Sequence, residues 1–457
     1  MLRLFMLLAL ILLLAVVDPG SARSRDDDAS APLTLITDPE PLHLLQRLGD
    51  PLVRAAGLDP ETMQYHILLE DSLNAFALEG GHLVFHSALV RDSGSVHELA
   101  GVMAHETAHL AAGHHIKLRD EMRSALIRSL ISASIGVAAG VLSSNAQVAG
   151  AAIIGGQAGS QSLLLANMRD KESQADQLAL RYMADSGFEP LGMASFLERL
   201  VRQQRLSHLP PPYLLTHPVG PTRISDLQEV APPPPLPRDD LPSLEALLGR
   251  VQAKLTAIHL GGSQETIRHF NALVGPPPGK PAARYGLALA RRYAGELDGA
   301  RDELTALLAT VWPGDAFLLR ERGLIHLEQG HMDLAIADLQ QAAAALPENT
   351  DFIFRLALAL GEDGQHEAAA RMLRRLTSTH PRLPEPLRLL GVYEGRQGHM
   401  GASHLALARH YRLVQDPSNA LWHYGAALRH FPTTDAQAQV ARDEMARLKD
   451  DEKRKKR

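Results

Sequence analysis

The 457-residue chain contains no cysteine. This excludes disulfides and an anchor carried on a lipid-modified cysteine, so the folds must hold by packing and bound metal. A basic excess is also missing. The formal net charge of −6 gives no footing for a nucleic-acid surface. The one strong basic cluster, Lys453-Arg454-Lys455-Lys456-Arg457, reads as a solvated end. Nor does the chain begin with a run long enough to span a bilayer. Leu4 to Val17 is apolar, follows the short basic start Met1-Leu2-Arg3, and falls short of the roughly 20 residues that a span needs. It has the form of a secretory h-region, and Gly20-Ser21-Ala22 supplies small residues for cleavage. A signal peptide over 1–22 and an exported mature chain are expected, with a retained anchor as the alternative.

What is present centres on His105-Glu106-Thr107-Ala108-His109, an H-E-x-x-H within the apolar, proline-free run from Val96 to His115. Two histidines four apart lie on one helix face, so both imidazoles can reach one zinc. The glutamate after the first is placed to take a proton from a bound water. A catalytic zinc needs a third protein ligand and an open position. His115 is one candidate, six residues after His109, but the glycine expected at 112 in that longer pattern is Ala112, with Gly113 one place late. Glu172 is the other, at the start of a second helical pattern through Ala175, Leu178, Leu180, Tyr182 and Met183. Asp176 falls one turn beyond Glu172, on the same face, where it can hold the far nitrogen of a ligand histidine.

Around these helices, Leu42 to Ala56 reads as a helix interrupted near Pro51, and Gln64 to Leu69 as a strand. Asn74 to Leu78, a turn at Glu79-Gly80-Gly81, and His82 to His86 read as a hairpin. Asn74, Ala75 and Phe76 then supply an edge with which an extended substrate can pair. His82 and His86 are taken as surface or core residues. Leu126 to Leu142 and Val148 to Leu165 are apolar but rich in small residues. They suit a packed hairpin, a flap over the cleft or a contact with a membrane surface better than a span. His217, before Pro218, can stabilise an oxyanion or occupy the open position of a metal.

Ala231-Pro232-Pro233-Pro234-Pro235-Leu236-Pro237 is a stiff break. Beyond it Gly295, Gly330, Gly364 and Gly398 recur at steps of 35, 34 and 34. Ala300, Ala335 and Ala369 follow the first three by five residues, whereas Ala402 comes one place early. Pro347 and Pro381 close two units. This is the tetratricopeptide period, and such stacks present a concave surface for protein segments.

Taken together, Asn74-Ala75-Phe76-Ala77 with Gly80-Gly81, H-E-x-x-H at 105–109, Glu172-x-x-x-Asp176, and His217-Pro218 with Arg223-Ile224 stand in the order found in the HtpX-like zinc metallopeptidases. The chain resembles the soluble, exported, BepA-type branch of that family, which carries repeats behind the peptidase. Gln174 replaces a second acid that relatives often have. The resemblance implies one Zn2+ per chain held by His105, His109 and Glu172, and Glu106 as the catalytic acid/base. It also implies Asp176 as support and His217 as a cap that keeps the enzyme latent. With Arg223 or Tyr213, His217 would steady the oxyanion. Implied partners are unfolded or stalled outer-membrane proteins and, through the repeats, the β-barrel assembly machinery of the periplasm.

The expected fold is mainly α. A zincin-like α+β metallopeptidase domain over 32–228, with a short edge hairpin, precedes a Pro-rich linker over 229–242. An α-helical tetratricopeptide solenoid over 243–440 and a charged tail over 441–457 follow. The rival reading is a non-proteolytic chaperone or adaptor with a latent or structural zinc site. Intact Glu106 argues against it, because a structural site has no use for that acid.

Overall fold

The computed structural model describes residues 34–114, 158–207, 212–217, 222–229 and 234–455. The apolar start, His115 and the small-residue stretch up to residue 157 lie outside them. Among the described residues no helix is long and apolar enough to cross a membrane. The chain packs as two units that divide after Gly286.

The first unit is built around a four-stranded sheet of order β1-β2-β4-β3. Its strands are β1 (Leu35–Ile36), β2 (Gln64–Leu68), β3 (Ala75–Leu78) and β4 (His82–His86). The expected hairpin forms, with β3 antiparallel to β4 and at the edge, while β2 runs parallel to β4. Gly81 makes the turn at φ 80°, where a Cβ would stand 2.6 Å from the carbonyl oxygen of Thr62. Only glycine fits that approach.

Helix α1 (Pro39–Ala55) is not interrupted at Pro51. Proline in a helix interior removes the donor for the carbonyl four residues back. Here that carbonyl belongs to Arg47, and Arg238 Nη2 donates to it at 3.4 Å. A side chain distant in sequence thus supplies a hydrogen bond to the carbonyl that proline leaves without its helical donor. The other face of α1 buries Leu44, Leu45, Leu48 and Leu52 completely.

After the short α2 (Ser87–Arg91) comes α3 (Val96–Ala111), the helix that carries H-E-x-x-H. Its start is a reciprocal cap: Glu98 N donates to Ser95 Oγ at 3.2 Å, and Glu98 Oε2 accepts from Gly94 N at 2.9 Å. Helices α4 (Ala158–Asp185) and α5 (Gly192–Ser207) pack on α3, which also lies against α1 and β3. A Cβ at Gly101 would be 2.7 Å from the backbone nitrogen of Met193, so glycine there sets how closely α3 and α5 approach. Two short helices follow, α6 (Pro212–Thr216) and α7 (Arg223–Glu229).

Helix α8 (Leu241–Leu260) joins the same core through Leu244, Leu248, Val251 and Leu255 and packs on α1, α2 and α3. A buried ionic cluster fastens it to α1. Glu40, fully buried, accepts from Arg250 Nη2 at 2.8 Å, Lys254 Nζ at 3.0 Å and Tyr285 Oη at 2.6 Å. Helix α9 (Gln264–Val274) completes the unit, and the division falls within α10 (Pro281–Tyr293).

The second unit is an array of antiparallel helix pairs. The first helix of each pair is α10, α12 (Ala316–Glu328), α14 (Thr350–Glu362) or α16 (Pro384–Arg396). Their partners are α11 (Leu297–Thr310), α13 (Met332–Ala345), α15 (His366–Thr379) and α17 (Met400–Leu413). Each pair turns at one of the four periodic glycines, all left-handed with φ between 77° and 83°. Ala300, Ala335 and Ala369 are fully buried at the contacts within the pairs. In the fourth pair Ser403, not Ala402, takes this place: it is buried, and its hydroxyl donates to Gly391 O at 2.7 Å. Helices α18 (Pro417–His430) and α19 (Ala436–Lys455) end the array. Ala438, Ala441 and Leu448 of α19 are buried, so much of the charged tail continues a packed helix.

Candidate metal centre

All site residues come from the first unit, and the local sequence explains their positions. His105, Glu106 and His109 occupy the buried face of α3, Glu172 and Asp176 that of α4. His217 follows α6 directly, and Arg223 opens α7. The seven residues are each at most 8% exposed, which raises the cost of any unpaired charge among them.

Four donors converge. His105 Nε2 lies 3.0 Å from His109 Nε2 and 3.3 Å from His217 Nδ1. Glu172 reaches His105 Nε2 and His109 Nε2 at 3.3 Å and His217 Nδ1 at 3.2 Å. Zinc bonds of about 2.0–2.1 Å in a tetrahedron place neighbouring ligand atoms about 3.3 Å apart. Four of the five separations lie at 3.2–3.3 Å and the fifth, His105–His109, is shorter at 3.0 Å, so three histidines and one carboxylate fit a zinc ion. Among the described residues this is the one group of three or more such donors close enough to share a metal.

The surroundings orient these donors. Asp176 Oδ1 is 2.8 Å from His105 Nδ1, while the Nε2 of that ring faces the other donors. Arg223 donates twice to Asp176, from Nε at 2.7 Å and Nη2 at 2.8 Å. Its Nη1 is 2.9 Å from Glu172 Oε2 and donates to the carbonyl oxygen of His217 at 3.3 Å. Burial pulls the His105 imidazole down, but Asp176 and Glu172 outweigh it and lift the group to about 9. Burial would raise the Glu172 carboxyl, yet hydrogen bonds from His105, His109 and His217 hold it far below the usual carboxylate range. Burial leaves His109 lowered.

The other face of His217 points to the acid: Nε2 stands 3.4 Å from Glu106 Oε1. Tyr213, fully buried, stacks on the imidazole at 4.6 Å between centroids. Its backbone nitrogen donates to Leu73 O at 3.2 Å, tying the His217 segment to the residue before Asn74. Asn74 itself precedes β3, with Ala75 and Phe76 on that edge strand beside α3. All three stand apart from the donor cluster. His82 and His86 are also elsewhere, paired with His66 and with Ser72 Oγ.

Spacing did not reveal His114. Helix α3 ends in a Schellman motif, with Gly113 N bonded to Leu110 O, His114 N bonded to His109 O, and Gly113 at φ 68°. The glycine that is one place late for the longer zinc pattern is therefore a helix cap. This turn brings His114 Nδ1 to 3.3 Å from His109 Nδ1, the nitrogen facing away from the donor cluster. A glycine just past a periodic apolar run was the available signal.

Residues 40–231 match peptidase family M48, and residues 326–391 match the tetratricopeptide repeat. The beta-barrel assembly-enhancing protease of Yersinia pestis is 31% identical over 389 residues, which are 83% of this chain and 77% of that protein. Its namesake in Escherichia coli (strain K12) is 34% identical over 362 residues, 78% of this chain and 72% of the relative. The mitochondrial metalloendopeptidase OMA1 of Schizosaccharomyces pombe is 26% identical over 181 residues, 40% of this chain and 50% of its own. Kinship of this extent, over the peptidase and the repeats alike, makes the chain a zinc metalloendopeptidase of family M48, and it belongs with the beta-barrel assembly-enhancing proteases.

Proposed function

We propose that His105, His109 and Glu172 hold one zinc per chain, that Glu106 is the catalytic acid/base, and that His217 is a removable cap. Zinc held there would supply a Lewis acid and lower the pKa of a water. Glu106 would accept the proton of the attacking water and return it to the leaving amine. Asp176 keeps the His105 tautomer, and Arg223 acts by holding Glu172 and Asp176. The observation that carries this reading is the placing of His217 between Glu172 and Glu106, 3.2 Å from one and 3.4 Å from the other. That is the space a nucleophilic water needs, so the arrangement is a latent one. Once displaced, His217 is close enough to steady the oxyanion.

An extended substrate pairs with the outer edge of β3 at Asn74, Ala75 and Phe76. The relatives are named for beta-barrel assembly, and this reading takes unfolded or stalled outer-membrane β-barrel proteins as the substrates. In this reading residues 1–22 are a signal removed on export to the periplasm. The peptidase spans 32–228, the linker 229–242 and the repeat-type helices 243–440, of which the first two, α8 and α9, belong with the peptidase unit; 441–457 is the tail. The repeat surface contacts the β-barrel assembly machinery or the unfolded barrel itself.

The test is degradation of an unfolded β-barrel protein by the zinc-loaded mature chain and by Glu106→Gln. Cleavage by the wild type, and none by the variant at equal zinc content, is expected. Equal turnover by both removes Glu106 from the chemistry. Folding assistance with no cleavage by either favours the adaptor.

A further inference from the structure

We propose that His404 and His423 form a second metal site, in the repeat unit, for a divalent cation of tetragonal preference such as copper(II) or nickel(II). His404 lies on α17 and His423 on α18, and their Nδ1 atoms face each other at 2.9 Å. Two bonds of about 2.0–2.1 Å at a right angle place their donor atoms about 2.9 Å apart, whereas the tetrahedral edge is near 3.3 Å. The separation therefore suits adjacent corners of a square-planar or octahedral site, where a cation would replace the proton the two nitrogens share in their hydrogen bond.

Both rings are held by other rings. Tyr411 stacks on His423 at 5.2 Å and 20°, and Trp422 meets it edge-on at 4.7 Å. His430 stacks on His404 at 5.7 Å and 21°. Ligands whose orientation is already fixed lose less freedom when a metal binds. His404 and His423 are half-buried, and Trp422 and His430 at the rim are exposed, so an ion can reach the pair and complete its shell with water. Burial, followed by the neighbouring His430 and Arg429, lowers His404, and burial with His404 and His410 lowers His423 to about 4. Near neutral pH both imidazoles are uncharged, the form that binds metal. The peptidase reading makes no use of this pair. A cation there would cross-link α17 and α18.

The test uses the full mature chain, untagged and loaded with zinc, to which one equivalent of copper(II) chloride is added. The expected result is one copper per chain at unchanged zinc content. Its electron paramagnetic resonance spectrum should be tetragonal, with hyperfine structure from two imidazole nitrogens. His404→Gln and His423→Gln should each weaken copper binding at least 100-fold, while His380→Gln, an exposed histidine outside the cluster, should leave it unchanged. Copper bound as tightly by the His404→Gln/His423→Gln double variant, or no copper retained by the wild type, overturns the proposal. The nitrogen pattern of the wild-type spectrum decides the matter without any variant: fewer than two imidazoles also overturns it.

Discussion

His217 Nε2 stands 3.4 Å from Glu106 Oε1, so the imidazole lies against the proposed catalytic acid. A hydrolytic zinc site keeps one position open, and His217 is proposed to fill it. Removing that donor should release the enzyme. His217→Ala is expected to raise casein hydrolysis above wild type, by about tenfold for each 1.4 kcal/mol by which the capped state is favoured. Activity at or below wild type would show that His217 serves catalysis more than latency.

Asp176 is proposed to act on the metal through His105, 2.8 Å away, and not by contact. Asp176→Asn retains the shape but loses the charge that holds the ligand tautomer. Zinc affinity measured by chelator competition should fall about 10–100-fold. An unchanged affinity would leave Asp176 as the partner of Arg223 alone.

Glu40 is the acid shared by Arg250 and Lys254 where all three are at most 4% exposed. Glu40→Ala leaves two buried cations short of their counter-ion. The expected loss of stability in urea unfolding is about 3–5 kcal/mol. A loss below about 1 kcal/mol would mean that Asp38, 2.8 Å from Lys254 Nζ, suffices alone.

His66 and His82 share a buried contact of 3.0 Å, and burial, then His82, lowers His66 to about 4. The unfolded chain takes up this proton near pH 6.5, before the folded one does. Stability is therefore complete above about pH 6.5 and is lost as pH falls towards 4, by up to about 3 kcal/mol. In chelator-treated protein, His66→Phe should flatten the slope of unfolding free energy in that window. An unaltered slope would assign it to other groups.

The parts of the fold read most directly from the sequence are those with a local cause. The periodic glycines mark left-handed turns that other residues resist, and H-E-x-x-H has meaning only on one helix face. Pro51 misled because its effect on α1 is offset by Arg238, nearly 190 residues later, and no local pattern announces that hydrogen bond. Ser403 replaced the expected alanine because its hydroxyl has a carbonyl to reach, a property of the packed pair. His217 could be named from motif order, but its position between Glu172 and Glu106 depends on α6 being tied to Leu73, which is a tertiary fact.

Zinc content per chain tests the central claim most directly, measured on the purified mature protein, Glu172→Ala and His217→Ala. The account predicts one zinc in the wild type, none in Glu172→Ala and one in His217→Ala, because Glu172 is a ligand throughout and His217 only a cap. Zinc retained by Glu172→Ala, or lost from His217→Ala, would contradict it.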